Sequence, residues 1–128
     1  MNILTGVIGD YLSAVGQFKD FSTFVSADAV FMEHPNAINP NGKKRNLAEA
    51  LKGLETGRTM LLWQKYAVKN SIESGSTVFT EVEWTGKMAI DAGRLRQGQL
   101  LRAFCALRFD FVDEKIVQQT SYDCYEPF

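Results

Sequence analysis

One histidine, two cysteines and three prolines in 128 residues are scarcities that each remove a class of protein. A lone histidine without a cluster of cysteine or carboxylate partners argues against a metal held by side chains, and nothing in the sequence calls for a cofactor. Two cysteines, Cys105 and Cys124, make a disulfide available but do not suggest one. Cys105 reads as a small buried hydrophobe. Neither sign of charge is in excess: 14 Lys and Arg stand against 15 Asp and Glu, and no like-charged run is longer than Lys43-Lys44-Arg45. A nucleic-acid partner is therefore not expected. No apolar run approaches the ~20 residues of a membrane span, and no basic segment precedes the first apolar residues, so the expectation is a soluble cytoplasmic protein with no membrane partner. Internal repeats and low-complexity segments are missing as well. The length suits a single domain over 1–128, since a chain of this size buries roughly 65–70% of its unfolded surface in one core.

What the sequence does have is clear periodicity. Leu4, Val7, Ile8, Tyr11, Leu12, Val15 and Phe18 recur at three- and four-residue spacing and predict an N-terminal helix with one apolar stripe. Asp20 is placed to cap a short second helix through Phe21, Phe24 and Val25. Residues 29–34 read as a strand ended by Pro35, which biases His34 toward extended geometry, and 35–42 is a loop by its Asn, Pro and Gly content. Asn46 and Glu49 form a capping-box pair ahead of a third helix carrying Leu47, Ala50, Leu51 and Leu54, with Gly57 as its stop signal. The period then changes to two: 61–72 loosely, then Val78, Thr80, Val82, Trp84 and Met88 plainly.

The longest alternation lies in 99–125. Ala103, Cys105, Leu107, Phe109 and Phe111 run one way and Ile116, Gln118, Thr120, Tyr122 and Cys124 return, with Asp113-Glu114 as the hairpin turn. That register sets Cys105 opposite Tyr122 and Leu107 opposite Thr120 on an apolar face, and Arg102 within reach of Asp123 on the polar one. Early helices followed by late strands predict an α+β fold: a curved, mostly antiparallel sheet whose concave face is covered by three N-terminal helices, forming a cone.

Three stretches carry a resemblance: the Tyr11 helix, Ser26-Ala27-Asp28-Ala29-Val30-Phe31-Met32-Glu33-His34-Pro35, and Phe111-Val112-Asp113-Glu114-Lys115-Ile116-Val117-Gln118-Gln119. In this order they resemble the SnoaL-like branch of the nuclear transport factor 2-like superfamily, although Glu114 stands where a turn glycine is usual. That superfamily includes polyketide cyclases, steroid isomerases, dehydratases and non-enzymatic binding or assembly modules, so the resemblance implies a fold before it implies an activity. It sets Tyr11 at the tyrosine of the first helix and His34 where the isomerases have a catalytic aspartate. Leu107 takes the position from which other members project a catalytic acid.

The expected site follows from these positions. His34, whose side chain titrates near neutrality, is the candidate base, and Tyr11 the candidate donor to a developing oxyanion. Trp84, Tyr122, Cys105, Leu107, Trp63 and Asn36 are candidate ligand-binding residues around an apolar pocket. Glu33, adjacent to His34 on a strand, is expected to point outward. Two functions are carried forward: cofactor-independent isomerisation, cyclisation or dehydration of a small apolar or aromatic ligand, and a non-catalytic binding or assembly module. By analogy with the superfamily, a homodimer is expected through the outer sheet face, with Phe104, Tyr125 and the Arg102 pair on that surface.

Overall fold

The computed structural model describes residues 3–128. Helix α1, Ile3–Gly16, follows the expected stripe and buries Ile8, Tyr11 and Leu12. Asp20 Oδ1 accepts from the Ser22 N–H at 2.8 Å, but the segment it starts is a three-residue 3-10 helix, Ser22–Phe24. The described residues thus contain two α-helices, not three, because β1 (Val25–Glu33) takes over four residues earlier than the alternation alone indicates. A three-residue strand that the sequence did not announce, β2 (Lys43–Arg45), pairs back onto β1.

Helix α2, Leu47–Met60, opens with both halves of the capping box: Asn46 Oδ1 accepts from the Glu49 N–H at 2.8 Å, and Glu49 Oε1 from the Asn46 N–H at 3.0 Å. It runs through Gly57 to Met60. One interior glycine costs about 1 kcal/mol relative to alanine, too little to stop a capped helix.

Four long strands complete the chain: β3 (Leu61–Ser74), β4 (Thr77–Met88), β5 (Leu100–Val112) and β6 (Lys115–Tyr125). The sheet order is β2-β1-β6-β5-β4-β3, antiparallel throughout except for β1 beside β6. The inward-facing side chains Val78, Val82, Ala103, Cys105, Leu107, Phe109 and Phe111 pack with Ile8, Tyr11 and Leu12 of α1 and Leu54 of α2 in one core. A smaller cluster of Met88, Leu95 and Leu101 closes the other end. No helix among the described residues is long and apolar enough to cross a membrane.

The β5–β6 hairpin departs from the expected register. Asp113 and Glu114 do form the turn, at φ 50° and 62°. Beyond it, Phe111 pairs with Ile116 but Asp110 pairs with Gln118, leaving Val117 as an extra residue. A bulge of this kind shifts every later residue on its strand to the opposite face. Cys105 therefore lies opposite Asp123 and Leu107 opposite Ser121, while Tyr122 falls beside Ala106 on the outer face. The expected Arg102–Asp123 pair is replaced accordingly: Arg102 reaches Glu83 at 3.1 Å and also bonds Glu126. Tyr125 moves inward with Asp123, and both cysteines are free.

The turn gives a first prediction. Glu114 holds a left-handed conformation that costs a residue with a Cβ about 1–2 kcal/mol and glycine almost nothing. Part of that gain is lost to glycine's greater unfolded-state freedom. Glu114→Gly should raise the melting temperature by about 3 °C, measured by circular dichroism.

Candidate functional site

A cavity of about 330 Å³ opens between α1, α2 and the inner sheet face. Strand alternation builds its floor. Past the bulge, β6 points Gln119, Ser121, Asp123 and Tyr125 inward, and the register places them beside Phe109, Leu107, Cys105 and Ala103 of β5. On the other side, parallel β1 sets Phe31 next to Gln119 and Glu33 next to Ser121. Tyr66 and Trp84, paired across β3 and β4, form a further wall. The Trp84 indole rests against Gly86, where a Cβ would come within 2.8 Å of the ring. Its Nε1–H donates to Gln64 Oε1 at 2.9 Å, and Gln64 Nε2 donates to the Val15 carbonyl at 2.9 Å, tying α1 to the sheet.

Two carboxylates line this cavity in opposed environments. Burial works against ionising Glu33, yet its hydrogen bonds from Asn39 and Asn36 (both 2.7 Å) and from Arg45 (3.0 Å), with the Arg45 charge, outweigh that cost and hold it below the usual carboxylate range. Asp123 goes the other way. Burial raises its pKa, hydrogen bonds from Cys105 and Ser121 only partly offset this, and the Glu33 charge raises it further. Carboxylates pushed apart in this manner are how one site acquires an acid–base group and a permanently ionised one. The phenols of Tyr66 and Tyr125 are pushed up, by burial first and then by the neighbouring negative groups, Asp123 and Glu33 among them. They remain protonated donors. Neither hydroxyl has a hydrogen-bond partner among the described residues, and neither is sealed from open space. Burial and Asp123 likewise push up the Cys105 thiol, which is no thiolate nucleophile.

Tyr11, Trp84, Cys105 and Leu107 line the cavity as expected. His34 does not. Phe31 and Glu33 occupy the inward phase of β1, so His34, one step on, turns away and stacks on Tyr122 with ring centroids 4.6 Å apart. The expected convergence of Tyr11 and His34 is thus corrected, and Glu33 points in where it was expected to point out. Tyr122 lies on the outer face because of the bulge, and Trp63 is exposed beside Lys87 on that same face. Asn36 stands behind the site, holding Glu33 rather than facing the cavity. Tyr11 is also engaged: its hydroxyl donates to Gln119 Oε1. Gln119, Ser121, Asp123, Tyr66 and Tyr125 went unrecognised as site residues. For Glu33 the signal was present, since Phe31 sets the phase of its strand. For the β6 residues nothing in the sequence marked the bulge.

No family model and no curated protein matches this sequence. Solved structures do. IdmH of Streptomyces antibioticus, proposed to be a polyketide cyclase, superposes with a TM-score of 0.77 at 18% identity, over 94% of this chain and 91% of that one. A proposed SnoaL-like polyketide cyclase of Shewanella putrefaciens gives 0.78 at 14% identity, over 96% and 90%. A protein of ketosteroid isomerase-like fold from Catenulispora acidiphila, solved in complex with trimethylamine, gives 0.72 at 16% identity, over 91% and 83%. At such identities the likeness speaks to architecture alone, and together with the strand order it shows that the chain shares the fold of these proteins, the nuclear transport factor 2-like or ketosteroid isomerase-like fold.

Proposed function

We propose that the cavity binds a small, largely apolar carbonyl compound and that Asp123 moves a proton on the carbon beside the carbonyl. The observation that carries this reading is the pairing of a carboxylate of raised pKa with two unengaged phenols, Tyr66 and Tyr125, in one apolar hollow. Asp123 takes the proton as base. The phenols donate to the oxygen on which negative charge then develops, a role in which pre-placed donors are most effective away from bulk water. Returning the proton to a different carbon completes an isomerisation; attack of the same carbanion on a second carbonyl completes a cyclisation. Glu33, held by Arg45, stays ionised and keeps the Asp123 proton affinity high.

The direct test is deuterium uptake at the α-carbon of aryl ketones such as 2-acetylnaphthalene, followed by proton NMR in D₂O. Protein should accelerate uptake over buffer, and Tyr125→Phe should slow it. A panel of ketones that all bind yet exchange at the buffer rate would remove the catalytic reading.

A second reading, binding without turnover, is supported by the trimethylamine held in the Catenulispora protein. A hollow walled by aromatic rings and two carboxylates also suits a small cation. In that case trimethylammonium would raise the melting temperature while no ketone is turned over.

We also propose that the outer sheet face pairs with a second copy. Ile72, Phe79 and Phe104 are 65%, 44% and 50% exposed there, interleaved with Arg102, Arg108, Glu83 and Asp110, so the face offers apolar area and both signs of charge to itself. Phe104→Lys should weaken self-association by about 30-fold, the scale of losing one central anchor. Sedimentation velocity measures it, and a wild-type protein that stays monomeric would discard the proposal.

A further inference from the structure

Gln119 is the first inward residue of β6 after the bulge, beside Phe31 on one strand and Phe109 on the other. Its amide is held at one end only. Tyr11, 4% exposed and packed edge-on against Phe21 and Phe109, donates its hydroxyl proton to Gln119 Oε1. A buried hydroxyl proton without an acceptor is costly, and the Tyr11 hydroxyl has no other acceptor among the described residues. The tyrosine therefore fixes which way the amide faces.

The two arms of a planar amide diverge, so engaging the oxygen aims the NH₂ group elsewhere. Gln119 Nε2 has no hydrogen-bond partner among the described residues, and it is not a sealed atom either. Gln119 lines the cavity, which is open space between the helices and the sheet.

We infer that Gln119 is a specificity residue whose side-chain NH₂ hydrogen-bonds an acceptor oxygen of the ligand, with Tyr11 as the positioning residue that holds the amide in the donating orientation. The inference rests on reading the cavity as a ligand site and adds to it the class of ligand. Gln119 and Asp123 lie four residues apart on one strand, about 13 Å between Cα atoms. A ligand that serves both carries its reactive carbonyl at one end and a second acceptor oxygen at the other, across a body about two fused rings long. A hydrocarbon or an ammonium group at the far end, with no acceptor lone pair, leaves the amide unmatched.

The test compares two probes of one shape, 2,6-diacetylnaphthalene and 2-acetyl-6-isopropylnaphthalene, by titration calorimetry. Wild-type protein should bind the diketone about tenfold more tightly, the worth of one good neutral hydrogen bond. Gln119→Leu should bring the ratio to about one, and Gln119→Glu, which presents an acceptor, should do the same or reverse it. Tyr11→Phe, which frees the amide to rotate, should lower the ratio to two- or threefold while the isopropyl probe binds as before; a merely structural tyrosine would weaken both probes equally. A diketone preference that survives Gln119→Leu assigns the donor to another residue and overturns the inference. If wild-type protein binds both probes with no preference, the inference fails and the ligand-site reading stands. If neither probe binds at its solubility limit, both fail.

Discussion

An Asp123→Asn protein should lose α-deuterium exchange by about 10²–10⁴-fold, the usual contribution of a positioned general base, while still binding the ketone. Asparagine keeps the shape and can still accept from Ser121, so the loss isolates proton transfer from packing. The pH profile gives an independent check. Activity that needs the carboxylate ionised should rise along a limb above the ordinary aspartate range near 3.9, because burial first, and then the charge of Glu33, favour the protonated form. Stability should respond in the opposite sense. A carboxyl whose pKa is raised by folding helps the fold while protonated, so that help is complete below the unfolded value and is lost as pH rises through the folded value. At pH 7 the variant should melt at or above the wild-type temperature, and the difference should vanish below pH 4. Glu33 has the contrary sign, since its depressed pKa stabilises the fold above the unfolded value and that contribution disappears in acid. An Asp123→Asn protein that exchanges ketones at the wild-type rate would remove Asp123 from the chemistry.

The largest effect on stability is expected at Phe109, which is fully buried. Its ring meets Tyr11 edge-on at 5.8 Å and Phe111 at 6.5 Å, and the register sets it between Val78 and Gln119. Phe109→Ala should cost about 3–5 kcal/mol, combining lost transfer energy with a cavity that neighbouring strands cannot collapse to fill. For a domain of this length that is a fall of about 10–20 °C in melting temperature, measurable by calorimetry. The damage should extend beyond the core. Tyr11 would lose a ring it packs on, and with it the geometry that holds Gln119, so ligand discrimination should weaken even well below the new melting point.

Features set by neighbours in sequence were readable from the chain. The Asn46–Glu49 capping box is complete within four residues, and helix α1 and strands β4 and β5 announce themselves by period because one face of each is almost purely apolar. The second helix failed because a cap and two apolar residues do not outweigh a strand that begins at Val25. Strand β6 failed for a different reason. Ile116, Gln118, Thr120, Tyr122 and Cys124 compete with Val117, Gln119, Ser121, Asp123 and Tyr125, and both sets mix apolar and polar side chains, so alternation cannot say which faces the core. Pairing with β1 and β5 decides it. His34 is the instructive case: as the only histidine it drew the assignment by its chemistry, while Phe31, three residues earlier, already fixed Glu33 as the inward neighbour.

Val117 consequently works as a reading-frame marker for the hollow. Were Val117 to join the ladder as an ordinary paired residue, β6 would turn the threonine, phenol and thiol of Thr120, Tyr122 and Cys124 into the cavity and would send amide, hydroxyl and carboxylate to the outer face. The same eight letters after it thus encode two chambers of different chemistry. Whether this one residue is bulged or paired decides the chemistry of the hollow without a change in any side chain.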